Sequence, residues 1–485
     1  MVSRITRLAI LMLPLSLAAQ QQSDYYRTET YDLPKGVNFE ASGLAILADG
    51  KLAVALRKGE VWVAQNPSNV KKPDFTLFAS GLHEILGLAF HKGALYATQR
   101  SEVTRLRDTD GDGVADEYLR AAGGWGVTGN YHEYAYGPAI DREGYLYTSL
   151  NAGMGKGWVG AKLSPEVPTW RGWVVRTSPD GKMEPWAAGF RSPCGIGSNA
   201  EGDLFVTDQQ GNWMPTNPLF HIRKGAYFSH ADSIPDALRP ESPVKLDDKQ
   251  PDGITVAEAI GKVKGYCPPA VWFPYVKMGQ SPTGLRCDET GGKFGPFSGQ
   301  MMVGEFVLSG VNRVFLEKVG GEYQGACFPM ISGLQCAALT VNFLRDGSLV
   351  VGQTNRGWNS SGNRPFGLQK IAWTGKVPLE VKSMEATQGG FRFTFTLPVD
   401  VKSLGTVKGQ KYTYLFQSKY GSPEVEAEPL DVREAKLSEN GLVLDLAISN
   451  LKAGFVHEIE LPALRATDGT PIWHRQAFYT LNRLR

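Results

Sequence analysis

The stretch LAILADGKLAV at residues 44–54 has the pattern that decides the fold: an apolar strand, an Asp-Gly turn and a second apolar strand. This pattern predicts an antiparallel β-hairpin whose turn needs positive φ. Glycine stands in the turn because it adopts positive φ at no steric cost. The pattern returns clearly at residues 140–147, 196–206 and 341–351, and more loosely at 88–97 and 284–303.

These hairpins indicate a repeat architecture. Some are followed by a third strand, as at residues 59–63 and 173–177. Six sheets of three or four strands, each burying its faces against two neighbours, are what a six-bladed β-propeller needs. We therefore predict an all-β chain with a six-bladed propeller over residues 20–375. A pair of large β-sandwiches is the alternative architecture.

The last part of the chain has a different rhythm. After Trp373, runs typical of β-strands occur at residues 390–396, 441–446 and 457–461. Strands at this spacing in a segment of this length suit an immunoglobulin-like β-sandwich. We predict that residues 376–485 form such a sandwich. Because these residues contain no evident chemistry, we expect an accessory domain.

The first residues have the pattern of a signal peptide. Arg4 and Arg7 precede an apolar run at residues 8–17, and Ala18 and Ala19 end the run with small side chains. The run is shorter than the roughly 20 residues that cross a bilayer. We expect residues 1–19 to direct export to the periplasm or the extracellular space, with no membrane span. A membrane anchor or a buried first helix is the alternative.

Charge and cysteine content limit the function classes. The formal net charge is +2, and it falls to zero when Arg4 and Arg7 are removed with the signal peptide. A neutral chain has no basic footprint for nucleic acid, so we expect no nucleic-acid partner. The five cysteines form no C-x-x-C pair, and one or two disulfides fit an oxidising compartment. Their pairing stays open.

One acidic loop predicts a calcium site. The sequence DTDGDGVAD at residues 108–116 places carboxylates at loop positions that wrap around Ca²⁺. Leu119 stands where an EF-hand has its bidentate glutamate, so the loop is not a complete EF-hand. A solvated acidic turn is the alternative. The predicted ligands are the carboxylates of Asp108, Asp110, Asp112 and Asp116 and the carbonyl of Val114.

Two residues are candidates for catalysis. His132 lies just before the hairpin at 140–147, and Arg191 lies in the same relative position one hairpin later. In a propeller both would lie near the central funnel. An imidazole there can remove a hydroxyl proton, and a guanidinium can stabilise an oxyanion. The alternatives are a hydrogen-bonded structural histidine and an arginine that binds carbonyls of its blade.

These motifs resemble the soluble quinoprotein glucose/sorbosone dehydrogenase family over residues 36–374. His132 before Gly137-Pro138 resembles the catalytic histidine of the family, and residues 189–195 resemble its Gly-x-Arg-Asn-Pro-x-Gly motif. Residues 281–284 resemble its Pro-Ser-Gly segment. Residues 208–211 stand where the family offers carbonyls to a calcium ion on the quinone.

The resemblance implies oxidation of an aldose, or a related sugar or alcohol, at C1 to a lactone. His132 would take the hydroxyl proton while hydride passes to pyrroloquinoline quinone, and Arg191 and Ca²⁺ would polarise the accepting carbonyl. The expected partners are a small-molecule sugar or glycan and a redox protein such as a separate cytochrome c. The cofactor contacts implied are Gln210, Gly211, Thr283 and Arg356.

The sequence departs from the family at two points. Ser192 replaces the motif asparagine, and residues 333–338 contain none of the arginines that hold the cofactor's carboxylates. Because a trianionic cofactor needs cations, Arg356 or Arg313 would have to substitute.

A second resemblance covers nearly the whole chain. The acidic loop, RGW at 356–358, GLQKIAWTGK at 367–376 and AFYTLN at 477–482 resemble secreted planctomycete, verrucomicrobial and acidobacterial proteins. Many of these fuse propeller and sandwich to a haem-binding domain with Cys-x-x-Cys-His, which this sequence lacks. Two other functions remain open. One is a non-catalytic propeller that binds glycan or a partner protein, and the other is a calcium-dependent lactonase or hydrolase that uses His132.

Overall fold

The computed structural model describes residues 22–153, 168–247 and 249–485. The predicted signal peptide at 1–19 lies outside these residues. After β1 (Tyr26–Thr30), three four-stranded sheets follow in chain order. They are β2–β5 (Ala41–Ile46, Leu52–Leu56, Glu60–Ala64, Phe75–Ala79), β6–β9 (Leu88–His91, Ala94–Thr98, Glu102–Arg107, Glu117–Gly123) and β10–β13 (Ala135–Ile140, Leu146–Leu150, Trp173–Thr177, Met183–Ala188).

The next three blades contain β14–β25. The fourth consists of β14, β15, β16 and β18 (Gly195–Ser198, Leu204–Thr207, Asn217–His221, Val271–Phe273), with α1 (Ile234–Ala237), β17 (Ile254–Thr255) and α2 (Val256–Lys262) inserted before β18. The fifth contains β19–β22 (Pro282–Cys287, Met301–Glu305, Gly310–Val319, Glu322–Ile331). The sixth contains β23–β25 (Ala338–Phe343, Leu349–Thr354, Phe366–Trp373).

The six predicted hairpins are the first two strands of the six blades. The innermost strands β2, β6, β10, β14, β19 and β23 contact one another in that cyclic order, and β23 contacts β2 again. Each blade therefore packs against its two neighbours in a closed ring, as a propeller requires. The predicted all-β propeller is confirmed.

The ring is closed by a strand that the hairpin pattern does not contain. β1 pairs antiparallel with β25, from Tyr26 opposite Trp373 to Thr30 opposite Gln369. The sixth blade thus takes its outermost strand from the N-terminal end of the described chain and its other three strands from the end of the propeller. This pairing ties the two ends of the propeller together.

The C-terminal sandwich has two sheets. Its strands are β26 (Val381–Thr387), β27 (Gly390–Phe395), β28 (Lys408–Thr413), β29 (Leu415–Phe416), β30 (Val425–Pro429), β31 (Val432–Leu437), β32 (Val443–Ile448), β33 (Phe455–Glu460) and β34 (Gln476–Leu481). One sheet has the order β26-β27-β32-β31, and β34-β33-β28-β30 is the other. An apolar core that includes Phe391, Phe393 and Tyr479 lies between them.

The second sheet of the sandwich continues the fifth blade. β34 pairs with β22 over three residue pairs, Gly325–Thr480, Ala326–Tyr479 and Cys327–Phe478, which makes one eight-stranded sheet. The apolar interior is also shared, because Tyr412, Tyr414 and Phe478 belong to the same cluster as blade residues such as Trp173 and Phe205. The sandwich is therefore joined to the propeller through hydrogen bonds and core packing.

The cysteines do not form the disulfides that the compartment suggested. All five, each within the described part of the chain, are free thiols, and four of them are buried. The expectation of one or two bridges is corrected on this point. Separately, no described helix has both the length and the apolar character needed to cross a membrane.

Candidate functional site at the propeller axis

Two cavities lie along the propeller axis. The larger, about 570 Å³, is lined by residues of the six innermost strands. The smaller, about 230 Å³, is lined mainly by loops that precede the innermost strands or follow the second strands of the blades, together with Tyr420 of the sandwich. Leu86, Cys194 and Leu339 line both cavities and pack in one apolar cluster with Phe306. These apolar side chains therefore lie between the two cavities on the axis.

His132 lies in the wall of the smaller cavity, as its place before β10 predicts. Its side chain is 8% exposed. Nδ1 is 2.7 Å from the carbonyl oxygen of Ala152, and Nε2 is 2.8 Å from Oγ of Ser192. A carbonyl can only accept, so Nδ1 carries the proton and Nε2 accepts the Ser192 hydroxyl. Burial and the nearby positive charge of Arg191 lower the pKa of His132 to about 3.

Arg191 approaches the same hydroxyl from the next blade. Its Nη1 donates to Oγ of Ser192 over 3.1 Å, and its side chain lies in the cavity wall. The imidazole and the guanidinium therefore converge on one oxygen atom. Ser192, the residue that departs from the family motif, thus bridges the two candidates.

Asp208 fixes the backbone of this pair. Its buried carboxylate accepts the backbone N–H groups of Arg191 at 2.8 Å, Ser192 at 2.7 Å and Gln209 at 2.7 Å. Burial raises the pKa of Asp208 to about 6, although these three hydrogen bonds lower it. Sequence reasoning placed Asp208 only in a calcium loop and missed this positioning role.

Of the implied cofactor contacts, Gln210 and Arg356 line the cavity. The Gln210 amide also donates to the carbonyl of Pro215 over 3.0 Å. Gly211 lies beneath Arg191, since a Cβ on Gly211 would stand 1.9 Å from Arg191 Nε. The carbonyl of Gly211 accepts the N–H of Gly421 from the sandwich.

Thr283 and Arg313 lie elsewhere. The fully buried Thr283 hydroxyl donates to the carbonyl of Ala338, and Thr283 is absent from the cavity wall, so the structure does not bring it together with Gln210 and Arg356. Arg313 is buried in the fifth blade, with its guanidinium 4.0 Å and 4.3 Å from the ring centroids of Phe297 and Phe328. Of the two arginines considered as replacements, only Arg356 reaches the cavity.

The charged groups of the lining have one sign. Three arginines, Arg57, Arg191 and Arg356, line the cavity, and neither Asp nor Glu stands among its described lining residues. Arg57 is paired from behind with Glu40 at 2.7 Å and Glu84 at 3.0 Å. Arg356 is exposed. The cavity thus offers cations to a ligand although the protein as a whole is nearly neutral.

Aromatic rings surround the mouth of the cavity. Tyr275, Trp358 and Tyr420 line it while remaining 43%, 60% and 59% exposed. Large exposed rings beside a polar cavity are typical of ligand-binding surfaces. Trp358 is signalled by its place in the RGW motif beside Arg356. Tyr420 carries no such signal, because it comes from the other domain.

The acidic loop lies away from this cavity. It joins β8 to β9 on the outer side of the second blade, and oxygens of Asp108, Asp110 and Asp116 lie within 4.8 Å of one another. Asp112 lies outside this group, and its carboxylate accepts the Val114 N–H. None of the five predicted ligands lines the cavity. Any ion held here would be structural.

The fold is that of a six-bladed β-propeller with a cavity on its axis. Residues 70–259, less than half of the chain, match a family model described as a domain of unknown function, DUF7133. No curated protein shows a significant match.

Solved structures resemble the propeller part. One is an oxidoreductase (glucose dehydrogenase) from Thermus thermophilus, with 20% identity, a TM-score of 0.50, and coverage of 71% of this chain and 99% of that one. The soluble aldose sugar dehydrogenase of Escherichia coli in its apo form has 13% identity, a TM-score of 0.46, and coverage of 72% and 99%. The PQQ-bound aldose sugar dehydrogenase of Streptomyces coelicolor has 17% identity, a TM-score of 0.44, and coverage of 72% of this chain and 98% of that one. At these identities the likeness, carried by the first of the three, confirms the expected fold.

Proposed function

We propose that the protein is an exported dehydrogenase that oxidises a sugar or related alcohol at C1 to a lactone, with pyrroloquinoline quinone as acceptor. One observation carries the proposal: a neutral imidazole and a guanidinium from adjacent blades meet at one hydroxyl in the wall of a cationic cavity. This is the arrangement needed to remove a hydroxyl proton while negative charge develops beside it.

His132 acts as the proton acceptor. Its Nδ1–H donates to Ala152, so the lone pair of Nε2 points to the hydroxyl that it binds. A substrate hydroxyl in the cavity takes the place of the Ser192 hydroxyl at Nε2 and gives up its proton there. A base with a pKa of about 3 is unprotonated at neutral pH but weak. The reaction therefore depends on a strong acceptor for the hydride.

Substrate recognition has a second polar group in the wall. Asn151 is 3% exposed and lines the cavity, and its Oδ1 has no hydrogen-bond partner among the described residues. A buried acceptor without a donor costs free energy, so it favours a ligand that carries hydroxyl groups. Sugars supply such donors. Asn151 would bind one hydroxyl while His132 takes the proton of another.

The charged and the aromatic side chains of the lining suit the carboxylates and the planar rings of the quinone. The guanidinium of Arg356 would hold a carboxylate, and that of Arg191 would polarise the accepting carbonyl. The rings of Trp358 and Tyr420 offer faces for a planar ring system. When bound, the quinone supplies the hydride acceptor. The cavity of about 230 Å³ is smaller than the roughly 300–1,000 Å³ of typical ligand pockets, so the exposed rim side chains must move outward on binding.

The experiment is reconstitution of the protein with pyrroloquinoline quinone and Ca²⁺, followed by dye reduction with a panel of aldoses. We expect quinone absorbance to remain after dialysis and turnover to fall by about 10²–10⁴ in His132→Gln. Arg356→Ala should weaken quinone retention, and Arg105→Ala, on the third strand of the second blade, is the matched control. A protein that retains no quinone after dialysis would overturn the proposal.

A hydrolase is the second candidate, because Ser192 and His132 also have the geometry of a nucleophile and its base. The hydroxyl lies 2.8 Å from Nε2, and Ala152 orients the imidazole. A fluorophosphonate probe distinguishes the two functions. Labelling of Ser192 that is lost in His132→Gln, with lactone turnover in the absence of dye, would favour the hydrolase.

We further propose a structural Ca²⁺ in the acidic loop, a sugar or glycan as ligand and a separate redox protein such as a cytochrome c as electron acceptor. The acidic cluster supports the Ca²⁺ site. The arginines of the cavity and the unpartnered Asn151 Oδ1 support a ligand with hydroxyl groups. The haem-protein lineage and the non-catalytic binding function stay predictions.

A further inference from the structure

We propose that residues 417–423 of the sandwich form part of the active site, and that Tyr420 is a positioning residue for Arg191. The proposal rests on the proposed function only in taking Arg191 as a group that acts on the ligand. Because this segment of the sandwich lies against the propeller site, the C-terminal sandwich takes part in the chemistry. The sequence did not indicate such a role.

The segment is bound to a turn of the fourth blade by backbone hydrogen bonds. Gly421 N–H donates to the Gly211 carbonyl over 2.9 Å, and Ser422 N–H donates to Pro215 over 2.9 Å. In the other direction, Trp213 N–H donates to the Gln417 carbonyl over 3.0 Å. These bonds hold residues 417–423 against the turn at 211–215.

Arg191 is enclosed between this turn and the segment. Gly211 approaches the guanidinium so closely that a Cβ there would lie 1.9 Å from Arg191 Nε. The ring of Tyr420 lies on the guanidinium, with 5.3 Å between Cζ and the ring centroid. A cation is attracted to the face of an aromatic ring at such a distance. The sandwich therefore supplies one wall of the compartment that fixes Arg191.

The exposure of Tyr420 shows that the ring is not there for core packing. The residue is 59% exposed and lines the cavity. Burying a tyrosine would stabilise the fold, whereas leaving it open at a cavity mouth serves contact with a ligand or with Arg191. The neighbouring glycine makes the approach feasible. Gly421 has φ of +62°, and a Cβ would stand 2.8 Å from Gln210 Cδ.

The segment is also fixed at its N-terminal side. β29, just before it, pairs with β17 of the fourth-blade insertion through Ile254–Phe416 and Thr255–Leu415. Ser418 donates from its N–H to Asp252 over 2.9 Å and from its hydroxyl over 2.5 Å. The position of Tyr420 is therefore set by the docking of the sandwich, and the ring transmits that position to Arg191.

The test measures Arg191 directly, with phenylglyoxal as an arginine-selective probe and peptide mass spectrometry to read the modification rate of each arginine. In Tyr420→Ala we expect Arg191 to react about two- to fivefold faster, the range that corresponds to loss of a cation–π contact at an exposed site. Tyr420→Phe keeps the ring and should react like the parent protein. Arg356, whose guanidinium lies on the same rim, is the internal reference.

Tyr118→Ala is the matched control, since it removes a 41% exposed tyrosine on the outer strand of the second blade. It should leave the rate at Arg191 unchanged. Equal rates at Arg191 in Tyr420→Ala and in the parent protein, at an unchanged melting temperature, would overturn the proposal.

A kinetic readout follows in the reconstituted enzyme. Tyr420→Ala should lower kcat more than it raises KM, and Tyr420→Phe should restore kcat. If the parent protein shows no turnover, the proposed function fails while the modification rates still decide the role of Tyr420.

Discussion

The ring of Tyr26 stacks on the indole of Trp473, with centroids 5.7 Å apart and ring planes at 20°. Tyr26 lies on β1, the strand that closes the propeller, and Trp473 lies between β33 and β34 of the sandwich. The Tyr26 hydroxyl also donates to the carbonyl of Phe294 over 3.1 Å. Ring closure and sandwich docking therefore share one fully buried side chain.

Substitution of Tyr26 should weaken both. Tyr26→Ala removes a large buried ring and should lower the free energy of unfolding by about 3–5 kcal/mol, whereas Tyr26→Phe loses one hydrogen bond and should cost about 1 kcal/mol. Denaturant titration measures both values. Tyr118→Ala, at an exposed position, should stay within about 0.5 kcal/mol of the parent protein. Equal values for Tyr26→Ala and Tyr118→Ala would contradict this account.

Asp208→Asn should displace the Arg191–Ser192 backbone. An asparagine has one acceptor oxygen in place of two and directs an N–H₂ at backbone donors, so the bonds to Arg191 and Ser192 cannot both survive. We expect a loss of about 1–3 kcal/mol of unfolding free energy and a changed modification rate at Arg191. Asp180→Asn, on an exposed turn, is the control. Unchanged stability and labelling would show that Asp208 positions nothing.

His132 should remain neutral across the physiological pH range. Its pKa is lowered to about 3 by burial and by Arg191, so protonation begins only as the pH falls below about 4. Selective ¹⁵N labelling of the seven histidines, with His132→Gln for assignment, reports the state of the ring. The Nδ1–H tautomer should persist from pH 8 to pH 5. A titration of this ring near pH 6.5 would exclude the described environment.

The same depressed pKa links His132 to stability. An unfolded histidine titrates near 6.5, so the unfolded chain binds this proton more readily than the folded one. The contribution of neutral His132 to the free energy of unfolding is complete above about pH 6.5. It is lost as the pH falls towards the folded-state pKa of about 3.

Calcium should raise the melting temperature through the acidic loop. A Ca²⁺ concentration of about a hundred times the Kd of the site stabilises the folded state by about 2.7 kcal/mol. Differential scanning fluorimetry with Ca²⁺, with Mg²⁺ and with chelator measures the effect. The double variant Asp108→Asn, Asp116→Asn should abolish the shift by Ca²⁺. A shift that persists in this variant would place the ion elsewhere, and the absence of any shift would leave a solvated acidic turn.

Local patterns predicted the blades well. Each hairpin is encoded by alternation around a turn within about a dozen residues, so residues 44–54 and 341–351 were interpretable without knowledge of the rest of the chain. The same reasoning predicted that His132 and Arg191, each just before an inner strand, would lie near the central funnel. Both lie in one cavity wall.

Pairings between distant segments could not be predicted. β1 meets β25, and β22 meets β34, across sequence separations that leave no mark on either strand's own pattern. Tyr420 reaches Arg191 for the same reason. Thr283 was placed by resemblance, but its hydroxyl is used within the core by Ala338. The role of Ser192 depends on the 2.8 Å contact with His132, which arises only when two blades are brought side by side.

The eight-stranded sheet has a consequence for how the chain resists self-association. The outer strand of a propeller blade is a sheet edge whose unpaired N–H and C=O groups can recruit a strand from another molecule. In the fifth blade that edge, β22, is ten residues long and mostly buried, and β34 occupies part of it. A chain cut near residue 376 would expose the edge of this apolar strand and favour pairing between molecules. The sandwich therefore protects the propeller against edge-to-edge association.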